Sequence, residues 1–169
     1  YHLAQAAMEE GKPEEAAGLY LEAGDYEDAA EKAGEATFQA GIRMANARDY
    51  AAAAALFARI PDYPGASGEE QGARYNLAIA LLDEGKYQEA ADAFTALGDY
   101  ASSLDYRDKA LYQQAITALE AGDNEAAAAL FGQLGDYMDA KTRYGEARHA
   151  LALAALNAGE VDQAIALLA

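Results

Sequence analysis

The sequence predicts an all-α fold, a solenoid of antiparallel helix hairpins, and three observations carry that prediction. The chain of 169 residues repeats every 37 residues without insertion or deletion: Tyr1, Phe38, Tyr75, Tyr112 and His149 stand at that spacing, as do Gly11, Arg48, Gly85, Gly122 and Gly159. Asp25, Asp62, Asp99 and Asp136 repeat in the same way, each followed by a tyrosine. A fixed period in this range marks stacked supersecondary units rather than one globular core. Each unit also holds two stretches with apolar residues at helical spacing, parted by a glycine. Alanine, the best helix former, dominates the composition. The units are 1–37, 38–74, 75–111, 112–148 and a partial 149–169, forming a single repeat domain over 1–169. A chain that begins without methionine and stops inside its own pattern reads as a segment excised from a longer protein.

The third unit shows the elements most clearly. Tyr75 to Leu82 has apolar residues at helical spacing and no breaker, and Gly85 stands where a left-handed residue closes a helix. Tyr87, Ala90, Ala91, Phe94 and Leu97 then share one face of a second helix. The short loop predicts an antiparallel pair. Ala78 and Ala90 let the two helices touch, and their counterparts are Ala4/Ala16, Gly41/Ala53, Ala115/Ala127 and Ala152/Ala164. Second helices start at Asp49 and Asp123 as N-caps, or at Pro13 as first helical residue.

Gly24, Gly98 and Gly135 are expected to stop the second helices, with Tyr26, Tyr63, Tyr100 and Tyr137 packed over the corner. Asp25, Asp62, Asp99 and Asp136 are expected to bond turn N–H groups. Asp28, Ser102 and Asp139 look like N-caps of the next helix. Asp28/Glu31, Ser102/Asp105 and, shifted, Ser67/Glu70 have capping-box spacing. Nothing after these caps stops a helix, so each unit should hold a helix of about 18 residues and one of about 11. In the second unit Arg48 replaces the inter-helix glycine, and Pro61 and Pro64 forbid helix through the corner. A local irregularity is expected there.

Charge and composition narrow the function. Twelve Lys and Arg face 29 Asp and Glu, a net charge of −17. Residues 1–37 hold ten carboxylates against two lysines, whereas 38–74 hold four of each sign. Such a chain is a poor phosphate binder, which argues against nucleic acid and anionic membrane and for a polar or basic partner. No stretch approaches the roughly 20 apolar residues of a membrane span. Without cysteine there is no disulfide framework, thiolate site or thiol nucleophile. Carboxylates three residues apart at Asp25/Asp28 and Asp136/Asp139 suit helix capping better than a calcium loop. No Ser–His–Asp set or phosphate loop is visible, so no enzyme activity, cofactor or metal is expected.

The stretch from Tyr75 to Leu97 resembles a tetratricopeptide repeat (TPR), matching that family's pattern at Ala78, Gly85, Tyr87, Ala90 and Phe94. The frame fits 38–60 and 112–134 and, more loosely, 1–23 and 149–169. At 37 residues rather than 34, and with Gly-Asp-Tyr turns in place of a late proline, the units resemble variant repeats of bacterial multi-repeat proteins. The resemblance implies a right-handed superhelix whose first helices line a concave groove that binds a protein or peptide. It places Tyr1, Phe38, Tyr75, Tyr112 and His149 on that face, beside Gln39, Asn76 and Gln113, with Asn46, Asp83 and Glu120 near the far ends of the same helices. Basic residues are nearly absent from these rows, so no clamp for a peptide carboxylate is expected.

The aromatic row has two readings, burial between neighbouring first helices or a binding ladder. The module has two as well: an adaptor that binds a polypeptide in its groove, or a spacer that positions flanking domains. The apolar run from Val161 to Ala169 is expected to be hidden by end-to-end association.

Overall fold

The computed structural model describes all residues from Tyr1 to Ala169 and contains ten α-helices and no strands. In chain order they are α1 (His2–Glu9), α2 (Pro13–Ala23), α3 (Ala29–Asn46), α4 (Tyr50–Phe57), α5 (Ala66–Asp83), α6 (Tyr87–Leu97), α7 (Ser103–Glu120), α8 (Asn124–Leu134), α9 (Ala140–Ala158) and α10 (Val161–Leu168). The long helices α3, α5 and α7 have 18 residues and α9 has 19, while α2, α6 and α8 have 11. Each long helix runs through a unit boundary of the sequence, as expected. No helix is long and apolar enough to cross a membrane.

The chain divides into two compact units, Tyr1–Leu77 and Ala78–Ala169. In the first, α1 packs on α2, α2 on α3 and α3 on α4. In the second, α6 packs on α7, α7 on α8, α8 on α9 and α9 on α10. The ten small residues expected at the helix crossings are all buried. The need for smallness is sharpest at Gly41, where a Cβ would lie 2.6 Å from the ring of Phe57. Phe57, Phe94 and Phe131, one in each of the second, third and fourth units, are fully buried and are the largest side chains so enclosed.

The local signals act where they were read. Asp49 Oδ1 accepts from Ala52 N at 3.1 Å and Asp123 Oδ1 from Ala126 N at 3.0 Å, capping α4 and α8. Pro13 is the first residue of α2. Gly85 closes α5 with φ of 77°, and Arg48 adopts the same left-handed conformation at φ 63°. Gly24, Gly98 and Gly135 end α2, α6 and α8 with φ of 57–60° and ψ of −115 to −126°.

The corners differ from expectation in three respects. Their N–H groups are taken by backbone carbonyls: Tyr26 N donates to Ala23 O and Ala29 N to Tyr26 O, with the same pair of bonds at Tyr63, Tyr100 and Tyr137. Asp25, Asp62, Asp99 and Asp136 stand exposed. Asp28, Ser102 and Asp139 occupy the N-cap positions, but their side chains make no capping bond. The carboxylates of Asp28 and Asp139 instead accept the hydroxyls of Tyr1 and Tyr112. Ser67 lies inside α5, and Glu70 pairs with Arg74 at 2.6 Å. The third departure is a second left-handed residue after each tyrosine: Glu27, Ala101 and Met138, with φ of 48–51°.

The proline corner is irregular, as expected, and the reason is visible. Pro61 stands where the other units have the positive-φ glycine, so α4 ends at Phe57, three residues short of the equivalent of Leu97. Pro64 stands at the second left-handed position, which its ring forbids, and Gly65 takes over that conformation at φ 87°.

Candidate interaction face

The long helices place the expected site residues in two environments. Tyr1, Phe38 and Tyr112 are structural. Tyr1 lies 5.5 Å from the Tyr20 ring and 5.4 Å from Tyr26. Phe38 lies 5.5 Å from Phe57 and 5.0 Å from Tyr63. Tyr112 lies 5.8 Å from Phe131 and 5.9 Å from Tyr137. Each ring therefore fills the angle between the second helix and the corner tyrosine of its own unit, rather than packing on its neighbours in the row. Tyr112 is only 8 % exposed, and Tyr1, Phe38 and Tyr75 are half-buried. A free aromatic ladder is not what Tyr1, Phe38 and Tyr112 build.

The polar rows are different. Gln39, Asn76 and His149 are exposed and Gln113 is half-buried, one helical step beyond or within the aromatic row. Asn46, Asp83 and Glu120 are the last residues of α3, α5 and α7, and all are exposed. Of the long helices, α3, α5 and α7 thus offer an amide near the middle and an amide or carboxylate at the end, while α9 has Ala150 in place of the amide. These side chains can donate and accept hydrogen bonds, and Asp83 and Glu120 carry negative charge without a paired cation.

The electrostatic perturbations follow the tyrosine–aspartate pairs. The bond to Asp139, together with burial, pushes the Tyr112 hydroxyl above the ordinary tyrosine range. The same bond, aided by Arg143, holds the Asp139 carboxyl below the usual carboxylate range. Arg143 Nε reaches Asp139 Oδ2 at 2.9 Å and completes the triad. Tyr1 is raised in the same sense by its bond to Asp28. Elsewhere burial raises the Tyr137 hydroxyl, the Lys12–Glu10 pair lowers the Glu10 carboxyl and raises the Lys12 ammonium, and Glu84 raises Lys86.

Sequence reading missed these pairs, although a signal existed. Tyr1/Asp28 and Tyr112/Asp139 are each 27 residues apart, and where the hydroxyl is lost at Phe38 the carboxylate is lost at Gly65. The hypothetical Cβ of Gly65 would sit 3.8 Å from the Phe38 ring, so the two positions meet in that unit too. No family model, no curated protein and no solved structure matches the chain.

Proposed function

We propose that the chain is a non-catalytic protein-interaction module that takes a polypeptide segment against the polar rows of its long helices. One observation carries this reading: exposed Gln39 and Asn76 and half-buried Gln113, with exposed helix-end Asn46, Asp83 and Glu120, recur at the 37-residue spacing on α3, α5 and α7. Packing does not call for patterned amides on an exposed face, whereas a peptide backbone is recognised by such donors and acceptors. The negative charge favours a polar or basic segment over an acidic one. The spacer reading draws support from the aromatic row, whose rings at Tyr1, Phe38 and Tyr112 are spent on internal packing.

The test is affinity capture with the immobilised chain beside a Gln39→Ala/Asn76→Ala variant. Both residues are exposed, so the variant keeps its helicity and melting temperature. A polypeptide retained by the parent chain and lost by the variant supports the module. Retention unchanged by the variant removes the polar rows from the site and leaves the spacer.

A further inference from the structure

The side chains depart from the 37-residue pattern in a concerted way around a groove of about 450 Å³ between α6, α7 and α8. Asp92 on α6 stands where the other units have Gly18, Ala55, Ala129 and Ala166. Asp108 on α7 replaces Gly34, Gln71 and Gly145. Gln114, nearly two turns further along α7, replaces Leu3, Ala40, Leu77 and Leu151.

Two of these departures, Gln114 and Asp92, are wired together through Gln88. Gln114 Nε2 donates to Gln88 Oε1 at 3.0 Å, and Gln88 Nε2 donates to Asp92 Oδ1 at 2.9 Å. An ionised carboxylate only accepts, so Asp92 fixes the direction of both amides. The result leaves Gln114 Oε1 buried without a hydrogen-bond partner. A leucine at this position, as in three other units, would carry no such penalty. An amide that costs stability and orients its neighbour is the kind of local inconsistency that marks a working site.

The open valences state what the site accepts. Asp92 Oδ1 is taken by Gln88, which leaves Oδ2. Arg107 Nε and Nη2 both donate to Asp108 Oδ1, at 2.8 and 2.7 Å, which leaves that Oδ2 as well and neutralises the groove's one cation. Leu111 and Leu130 add apolar lining for an aliphatic stem. We propose that this groove binds an arginine side chain of a partner polypeptide, with the open Oδ2 atoms of Asp92 and Asp108 as its contacts and Gln88 and Gln114 as positioning residues. A guanidinium offers several donors in a fixed plane, which matches two carboxylate acceptors on neighbouring helices. The proposal rests on the interaction-module reading but puts the contact beside the second helices, away from the polar rows.

The experiment is a titration of the full chain, followed by NMR on the side-chain amide signals of Gln88 and Gln114. The probe is an acetylated, amidated tetrapeptide carrying one arginine, and the control carries citrulline instead. Saturable shifts with arginine and none with citrulline are expected, with affinity about tenfold lower in Asp92→Ala. Gln114→Leu should raise the melting temperature and yet weaken the peptide, which a merely tolerated polar residue would not do. Absence of saturable shifts, equal response to citrulline, or unchanged affinity in Asp92→Ala would overturn the proposal. The Gln39→Ala/Asn76→Ala variant should titrate like the parent, so failure of the polar rows and failure of the groove read out separately.

Discussion

The hydroxyl of Tyr112 donates to Oδ1 of Asp139 at 2.5 Å, joining the middle of α7 to the first residue before α9 across 27 residues of sequence. This bond changes the role of the aspartate. A residue placed to cap a helix serves instead as the anchor of a ring that packs on Phe131 and Tyr137. Tyr1 and Asp28 repeat the arrangement, and Phe38 with Gly65 shows the version without it.

Tyr112→Phe is therefore expected to fold and to lose only a few degrees in melting temperature, because Phe38 already fills the equivalent site. Its diagnostic effect is on pH dependence. Asp139 is depressed in the fold, so its stabilisation is present above the ordinary carboxylate value of 3.8 and is lost as pH falls through the lowered one. Tyr112 is raised, so its stabilisation is present below the ordinary value of 10.0 and is lost as pH rises through the raised one. Thermal melts across pH should show both limbs flattened in Tyr112→Phe. Limbs identical to those of the parent would mean that the pair is not linked to folding.

The aspartates that do cap helices should behave differently from those that do not. Asp49→Ala and Asp123→Ala each remove an acceptor from a helix N-terminus and are expected to cost about 1 kcal/mol, with Asn restoring most of it. Asp28→Ala should lose most of its effect in a Tyr1→Phe background, since the carboxylate serves the Tyr1 hydroxyl rather than a backbone N–H, whereas Asp49→Ala should cost the same with or without Tyr1→Phe. Urea unfolding of these variants decides the matter; a cost of Asp28→Ala undiminished by Tyr1→Phe would contradict the assignment.

This contrast also shows what the sequence could reveal. Helix extents were legible because glycine, proline and the apolar period act within a few residues: Gly85, Gly98 and Pro13 stop or start helices where expected. The Asp49 and Asp123 caps were legible for the same reason. The roles of Asp28 and Asp139 were not, because their partners lie 27 residues upstream and compete with the local cap. The left-handed Glu27, Ala101 and Met138 were invisible, since the corner imposes a conformation their side chains do not favour. At the interaction face, the resemblance to a repeat family singled out Gln39 and Asn76, and both stand exposed. It could not foresee that Gln114 orients Gln88, which depends on how α6 and α7 meet.

The last helix carries an uncovered apolar stripe. Val161, Ile165 and Leu168 lie on one face of α10 and are 53, 61 and 59 % exposed. Leu168 holds the position that Phe131 and Phe94 fill in other units, where the ring is fully buried. We expect this chain to self-associate through that face, with a sedimentation coefficient that rises with concentration. Ile165→Glu should abolish the rise without unfolding the protein, because Ile165 is not part of the buried core. A concentration-independent monomer would refute the expectation.

The two glycine classes offer the sharpest comparison within the backbone. Gly85 and Arg48 occupy equivalent places with φ of 77° and 63°, and the arginine shows that a side chain is tolerated there. Gly98 combines φ of 57° with ψ of −126°, a region almost closed to L-residues. No atom outside its own chain neighbourhood lies within 4 Å of a Cβ built at Gly98, so any penalty for substitution comes from the backbone itself. Gly98→Ala is therefore expected to cost about 1–3 kcal/mol, and Gly85→Ala about 1 kcal/mol. Because both substitutions add one methyl group, the difference isolates conformational strain from packing. Equal destabilisation in denaturant titration would show that the corner after α6 relaxes to another backbone path, as the proline corner after α4 does.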